Sequence, residues 1–300
     1  MKTAIIGAIG DYQYDQIKYW VNSLNRSGFT GRKILLSYNS SADLITKLVQ
    51  NGIEVYEART DSFGKVVDNF VCNTGVANKD NTAELIHHLR FWHMYQLLRE
   101  HASTDVGWVI HTDVRDVIFQ TNPSDWLSNF DRSADPDSGK NSGKTIVAPS
   151  EYVTYGEESW NADLANSNYG PYIFKNILRD SLVYNVGSFA AQYDDFLDLA
   201  LFTYLLTYRR NKLSDQPAQA LLFSTLLKDK VYTAGTQDAW ALQCGIIMEQ
   251  VQKYANQIRG GLPAIRDVGM VINENGTPYC IVHQWERTLG MKQVIERKFA

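Results

Sequence analysis

The hydrophobic pattern of the first part of the chain alternates between two rhythms. Short apolar runs at 3–9 (Thr3-Ala-Ile-Ile-Gly-Ala-Ile9), 33–38 (Lys33-Ile-Leu-Leu-Ser-Tyr38) and 53–56 (Ile53-Glu-Val-Tyr56) read as buried strands. Between them, Ile17, Trp20, Val21 and Leu24 recur at helical spacing within 12–27, and Leu44, Ile45, Leu48 and Val49 do so within 41–51. Gly28, Gly31 and Asn51-Gly52 mark the exits. Strands alternating with helices predict βαβ units: an α/β fold with a mostly parallel central sheet flanked by helices. Ligands of such sheets bind beyond the carboxyl ends of the strands, which puts Gly7 to Tyr14 at a mouth.

Further on, the spacing predicts a long helix over 82–101, with Leu85, Leu89, Trp92 and Tyr95 on one face and Arg90 elsewhere. Trp108-Val109-Ile110 reads as a buried strand, and Val117, Ile118 and Phe119 form another apolar run. Asn122-Pro123 is a turn opening a short helix. Residues 131–144 are polar and rich in turn formers. They read as a mobile surface loop within one domain spanning 1–300, because Thr145-Ile-Val-Ala148 resumes a strand. Residues 150–170 read as irregular. Residues 182–190 read as a strand interrupted at Asn185-Val-Gly187, where a glycine marks close approach of a ligand or another backbone. Helices are expected at about 193–209 and 216–228, strands at 268–272 and 279–283, and a basic helix at the end.

Composition narrows the function classes. The net charge is 29 − 33 = −4, with no basic tract, so neither a nucleic-acid backbone nor an anionic membrane surface is the expected partner. Cys72, Cys244 and Cys280 are scattered and odd in number. That argues against a disulfide framework and fits a reducing cytoplasm. The N-terminal apolar run is too short for a signal peptide and is better explained as a core strand. No run approaches the length of a membrane span. The 17 tyrosines and 7 tryptophans suit a cleft that stacks on rings, and they also fill cores.

The candidate chemistry lies where the strand at 108–110 ends. Asp113 and Asp116 follow it closely, and two carboxylates there repel one another unless a cation sits between them or one stays protonated. A hard cation, Mn²⁺ or Mg²⁺, bridging to the oxygens of a diphosphate would satisfy both. The bland alternative is a helix cap beside a surface carboxylate. His87, His88, His93 and His101 share one helix without the i, i+4 pair of a zinc site and read as mostly surface. No GxSxG, HExxH or phosphate-binding P-loop is present.

Taken in order, several segments resemble the GT-A-type glycosyltransferases, which use nucleotide-diphospho-sugars. They are Asp11-Tyr12, His88-Leu-Arg90-Phe-Trp92, Thr112-Asp113-Val-Arg-Asp116, Val147-Ala-Pro-Ser-Glu151, Tyr184-Asn185-Val-Gly187, Ser214-Asp215-Gln216-Pro217 and Ile281-Val-His283. The resemblance implies a Rossmann-like GT-A fold, with a nucleotide-binding half over 1–120 and a smaller acceptor-side half over 145–300. It implies a metal held by Asp113, Asp116 and His283. Strict Asp-x-Asp spacing would instead put Arg115 in the second position, and an arginine cannot ligate a cation. Arg90 would neutralise the diphosphate and Tyr12 would stack on the base. Asn185 and Gly187 would form the loop approached by the donor sugar. Asp215 and Gln216 would contact donor hydroxyls, with Asp215 and Asn185 nearest the chemistry. Asp215 is equally well placed as a helix cap. Glu151, Glu158 and Trp160 would line the acceptor side.

The implied reaction is metal-dependent transfer of a sugar from a nucleotide-diphosphate sugar to a hydroxyl of a carbohydrate or lipid-linked glycan, in glycan or polysaccharide synthesis. The late histidine and Asp215-Gln216 lean towards retention of configuration. Two rivals remain at this level. A sugar nucleotidyltransferase would carry a glycine-rich, basic N-terminal loop, which Gly7 to Tyr12 lacks. A non-catalytic sugar- or partner-binding module with a decayed site is favoured by Arg115.

Overall fold

The computed structural model describes residues 2–58, 82–102, 105–132, 143–210, 212–245, 263–266 and 269–300. The chain opens with β1 (Lys2–Ile9), α1 (Tyr14–Arg26), β2 (Arg32–Tyr38), α2 (Ala42–Gln50) and β3 (Glu54–Ala58), as the apolar rhythm predicts. The expected face of α1 is buried: Ile17, Trp20, Val21 and Leu24 all pack inward. On α2 only Leu44 and Leu48 are buried, whereas Val49 is 57% exposed and does not belong to the inward face. Ser41 caps α2 by accepting a hydrogen bond from the Leu44 amide at 3.2 Å.

The middle of the chain forms α3 (Thr82–His101), β4 (Val106–Thr112), β5 (Val117–Phe119), α4 (Pro123–Arg132) and β6 (Ile146–Thr154). After these come α5 (Ser159–Ile173), β7 (Leu182–Tyr184), β8 (Ser188–Gln192), α6 (Tyr193–Thr207) and α7 (Asp215–Ser224). The last part comprises β9 (Val231–Ala234), β10 (Ala241–Gln243), β11 (Ala264–Arg266), β12 (Met270–Ile272), β13 (Ile281–His283) and α8 (Leu289–Phe299). Most of the expected 131–144 loop, and Cys72, lie outside the described residues.

The main sheet runs β3-β2-β1-β4-β8-β6-β7, with β9 paired to β6. Its first four strands are parallel, as expected. β8 then enters antiparallel between β4 and β6, while β6 and β9 pair in parallel, so the sheet is mixed, with parallel pairing through its first four strands. A small sheet, β10-β13-β5, packs beside it, and β11 and β12 form a separate pair. The strand order switches between β1 and β4, and in open α/β sheets ligands bind beyond the carboxyl ends of the strands at such a switch point.

Three further sequence expectations need correction. Residues 150–170 are not irregular: β6 runs to Thr154 and α5 begins at Ser159. On α3 the most buried positions are Phe91, Met94, Leu97 and Leu98, while Leu89, Trp92 and Tyr95 are half-buried. Packing on both sides of α3 explains this, and it also buries His88 and His93, leaving only His87 and His101 exposed.

Candidate active site

The site starts where β4 ends. α1 grips that end through Trp20, whose indole N–H donates to Thr112 Oγ1 at 2.9 Å in the core. Asp113 follows at once, and its amide donates to Gly187 O at 2.8 Å. Asp116 lies beyond Val114, whose burial anchors the turn, and its carbonyl accepts from the Gln284 amide at 2.7 Å. β13 pairs antiparallel with β5, setting His283 opposite Val117 and carrying the late histidine to the two early carboxylates.

His283 Nε2 lies 3.5 Å from Asp116 Oδ2 and 3.6 Å from Asp113 Oδ2. The imidazole is buried, and Nε2 has no hydrogen-bond partner among the described residues. Asp113, Asp116 and His283 each offer a ligand atom, and all three atoms lie within 4.8 Å of one another. An orphaned imidazole nitrogen facing two carboxylates is the donor set of a divalent cation such as Mn²⁺ or Mg²⁺, so these residues fit the expected metal. Arg115 points to solvent, and Asp116 is the residue brought to Asp113.

Arg90 lies beside this group and is not an exposed helix arginine. Its guanidinium is buried, with Nη1 2.6 Å from Asp113 Oδ1 and Nη2 3.0 Å from Asp215 Oδ2. Burial opposes its charge, but Asp113 and Asp215 outweigh burial and hold the pKa above the ordinary arginine value. For Asp113 burial likewise works against the charge. Arg90, then His283 and His111, outweigh it and keep the carboxyl far below the usual range. His283 is raised: burial lowers it, and Asp116 and then Asp113 more than compensate.

Gly187 shows why a side chain is excluded here. A Cβ on this residue would lie 2.2 Å from His283 Cε1 and 2.8 Å from Asp113 Oδ2. The close approach expected at 185–187 is thus made by the carboxylate and the imidazole themselves. Asn185 Oδ1 accepts from the Gly187 amide at 2.8 Å, and Asn185 Nδ2 donates to Glu151 Oε1 at 2.5 Å. Burial raises the Glu151 carboxyl above its ordinary pKa despite the Asn185 hydrogen bond.

Asp215 is the first residue of α7, after the N-cap Ser214, so it is not the expected helix cap; its Oδ1 accepts from the adjacent Gln216 amide at 3.0 Å while its Oδ2 pairs with Arg90. Gln216 Nε2 donates to Asn161 Oδ1 at 2.6 Å. Glu158 is committed to the N-terminus of α5, accepting from the Trp160 and Asn161 amides and from Asn161 Nδ2. Trp160, next to Asn161, is 57% exposed. Tyr12 follows a tight turn after β1, where its amide donates to Gly10 O at 2.8 Å. Burial raises its phenol, with Arg115, Asp113, Asp116 and Arg90 close enough to act on it electrostatically.

Sequence reasoning missed three contributors. Gln243 bonds His283 Nδ1, Ser188 bonds Gln243, and Arg287 is close enough to Glu151 to lower its carboxyl. Two strained residues also flank the site: Tyr152 at φ 62° follows Glu151, and Gln284 at φ 60° follows His283. Left-handed backbone at a non-glycine residue costs about 1–3 kcal/mol and clusters at functional sites. Gln243, Ser188 and Arg287 carried no motif or spacing in the sequence that would have singled them out.

No protein-family model matches the chain, and no curated protein matches it. Solved structures do. The galactosyltransferase LgtC, in complex with donor and acceptor sugar analogs, is 12% identical with a TM-score of 0.55, covering 98% of this chain and 94% of that one. An active-site mutant of LgtC is 10% identical with a TM-score of 0.53 over the same shares, 98% and 94%. Mouse xyloside xylosyltransferase 1 in its apo form is 11% identical with a TM-score of 0.49, covering 94% of this chain and 97% of that one. The two LgtC structures carry the fold assignment: the chain has the GT-A fold of these glycosyltransferases along nearly its whole length.

Proposed function

We propose that this protein is a metal-dependent glycosyltransferase. It moves a sugar from a nucleotide-diphosphate donor to a hydroxyl of a carbohydrate or lipid-linked glycan acceptor, in glycan or polysaccharide synthesis. The observation that carries this reading is the meeting of Asp113, Asp116 and His283, from segments 167–170 residues apart in the sequence, beyond the β4 strand end of a GT-A fold. The proposed domain division follows from it. Residues 1–120 supply the nucleotide-binding half with Asp113 and Asp116, and 145–300 supply the acceptor-side half along with His283.

Asp113, Asp116 and His283 would hold Mn²⁺ or Mg²⁺, which when bound neutralises charge developing on the leaving diphosphate. The chain's own residues do the rest. Arg90 keeps Asp113 ionised and aimed, and it ties that carboxylate to Asp215 through a single guanidinium. Asp215 and Gln216, fixed at the start of α7, present a carboxylate and an amide to donor-sugar hydroxyls. Asn185 holds the Gly187 amide and Glu151 together, so the backbone of 185–187 forms a bare wall for the sugar. Tyr12 would cover the base. Preorganised polar groups of this kind stabilise developing charge without reorganising. We also propose retention of anomeric configuration, on the strength of Asp215-Gln216 beside the donor site. Among the described residues no helix is long and apolar enough to cross a membrane. Cys244 and Cys280 are buried free thiols, which supports a cytoplasmic placement.

The test is a screen of nucleotide sugars for Mn²⁺-dependent hydrolysis or transfer. Activity is expected with at least one donor, to be abolished by chelation and reduced on the order of 1,000-fold in Asp113→Ala. Full activity in that variant, with its fold intact, overturns the metal assignment.

A further inference from the structure

The metal ligands do not stand alone: a buried relay stands behind His283. β10 and β13 run parallel, and their register sets Gln243 directly beside His283. Both side chains are buried, each about 1% exposed. Gln243 Oε1 lies 2.6 Å from His283 Nδ1, and Gln243 Nε2 donates to Ser188 Oγ at 2.7 Å. Ser188 is itself fully buried at the start of β8, where the register pairs it with Thr112, the residue before Asp113. With the amide turned so that its nitrogen reaches Ser188, its oxygen faces Nδ1 and Nδ1 carries the hydrogen. Nε2 is then the ligating nitrogen, and it is the atom with no other hydrogen-bond partner, facing Asp113 and Asp116.

We propose that Gln243 is a positioning residue which, anchored by Ser188, fixes the orientation and tautomer of His283 and thereby sets the affinity of the Asp113–Asp116–His283 site for a divalent cation. This inference rests on the reading of those three residues as a metal site. The relay also closes a loop. Ser188 follows Gly187, whose carbonyl accepts from the Asp113 amide, so the proposed donor-sugar wall, the carboxylate and the imidazole are held in one hydrogen-bonded frame. Metal-ligating histidines commonly donate their second ring N–H to a carboxylate, carbonyl or water, and losing that partner costs about 10- to 100-fold in metal affinity. Here a side-chain amide takes that place.

The experiment measures Mn²⁺ binding alone, by calorimetry or by electron paramagnetic resonance of free Mn²⁺, in the wild-type protein and in Gln243→Leu, Gln243→Glu and Ser188→Ala. Circular dichroism and thermal melting accompany each variant. Gln243→Leu removes the acceptor at Nδ1 and is expected to weaken Mn²⁺ binding about 10- to 100-fold. Gln243→Glu restores an acceptor there and is expected to recover most of the affinity. A purely structural amide would give no such recovery. Ser188→Ala, the mildest change, is expected to weaken binding by a smaller factor, and it keeps the test open if Gln243→Leu does not fold. Equal Mn²⁺ affinity in wild type, Gln243→Leu and Ser188→Ala overturns the inference and leaves the metal reading standing. Absence of Mn²⁺ binding by the wild-type protein overturns both.

Discussion

At Gly187 a single hydrogen decides whether the candidate site can assemble. The imidazole and the Asp113 carboxylate crowd the space a methyl group would take, and neither is the far end of a flexible chain. Gly187→Ala therefore has to displace His283 or Asp113. Overpacking of this kind costs about 1–3 kcal/mol. The expected result is a loss of that size in urea unfolding, together with weakened Mn²⁺ binding; wild-type stability and binding would show that the loop yields freely. Arg90 raises the complementary problem of charge. It is the only cation that both Asp113 and Asp215 are seen to pair with among the described residues, so α3 supplies the positive charge that lets two carboxylates from distant segments share one crevice. At this scale the sequence was partly legible. Asp113 and Asp116 could be picked out because paired carboxylates after an apolar strand are chemically conspicuous. Gln243 and Ser188 could not, since an amide and a hydroxyl acquire meaning only once β10 has paired with β13 and β8 with β4.

Elements obeyed the apolar rhythm where one face of each met the core, as on α1 and β1 to β3. The rhythm failed on α5 for an identifiable reason. Its buried positions are Asn161, Ala165 and Asn168, which follow helical spacing with hardly any hydrophobic signal. Polar contacts replace apolar ones: Asn161 meets Gln216, and Asn168 Nδ2 reaches Leu213 O at 2.9 Å. Gly170 at φ 81° and Pro171 then kink the helix and further obscure its period. On α3 the histidines misled because burial on both sides leaves little amphipathic contrast. His93 packs against Tyr38 of β2, its Nδ1 2.6 Å from the Tyr38 hydroxyl and the rings stacked at 5.5 Å. Burial pushes its pKa down from 6.5 to about 4. Between those values the unfolded chain binds the proton and the folded chain does not, so this contribution to stability is complete above 6.5. It falls as pH drops and is fully lost once pH passes below about 4. The loss amounts to roughly 3 kcal/mol. His111 and the carboxylates add their own acid sensitivity, so the comparison needed is between wild type and His93→Phe. Urea unfolding at neutral pH and near pH 4.5 is expected to show a smaller pH-dependent loss in the variant; an identical loss would remove His93 as a source of acid sensitivity.

For the whole molecule, the candidate metal site also joins two sheets and segments 167–170 residues apart in the sequence. Asp113 and Asp116 come from the turn between β4 of the main sheet and β5 of the small sheet, and His283 comes from β13 of the small sheet. The fold that brings them together is the GT-A fold seen in LgtC, at an identity too low for sequence alone to carry residue roles across. A cation bound by all three would clamp the small sheet, with Gln243 and Ser188 behind it, onto the end of β4. A ligand that binds only the folded chain stabilises it by RT ln(1 + [L]/Kd), about 2.7 kcal/mol at a hundred times Kd. With an unfolding entropy near 2.1 cal/mol/K per residue, a chain of this length gains roughly 4 °C from that energy. Mn²⁺ together with UDP or GDP is therefore expected to raise the melting temperature by about that amount at saturating concentration. EDTA should reverse the rise, and Asp113→Ala should abolish it while melting cooperatively without ligand. Comparing the two nucleotides would identify the base the crevice accepts. A rise with nucleotide alone, unchanged by EDTA, would mean that Arg90 neutralises the diphosphate without a cation. No rise under any combination would favour a binding module whose donor site has decayed.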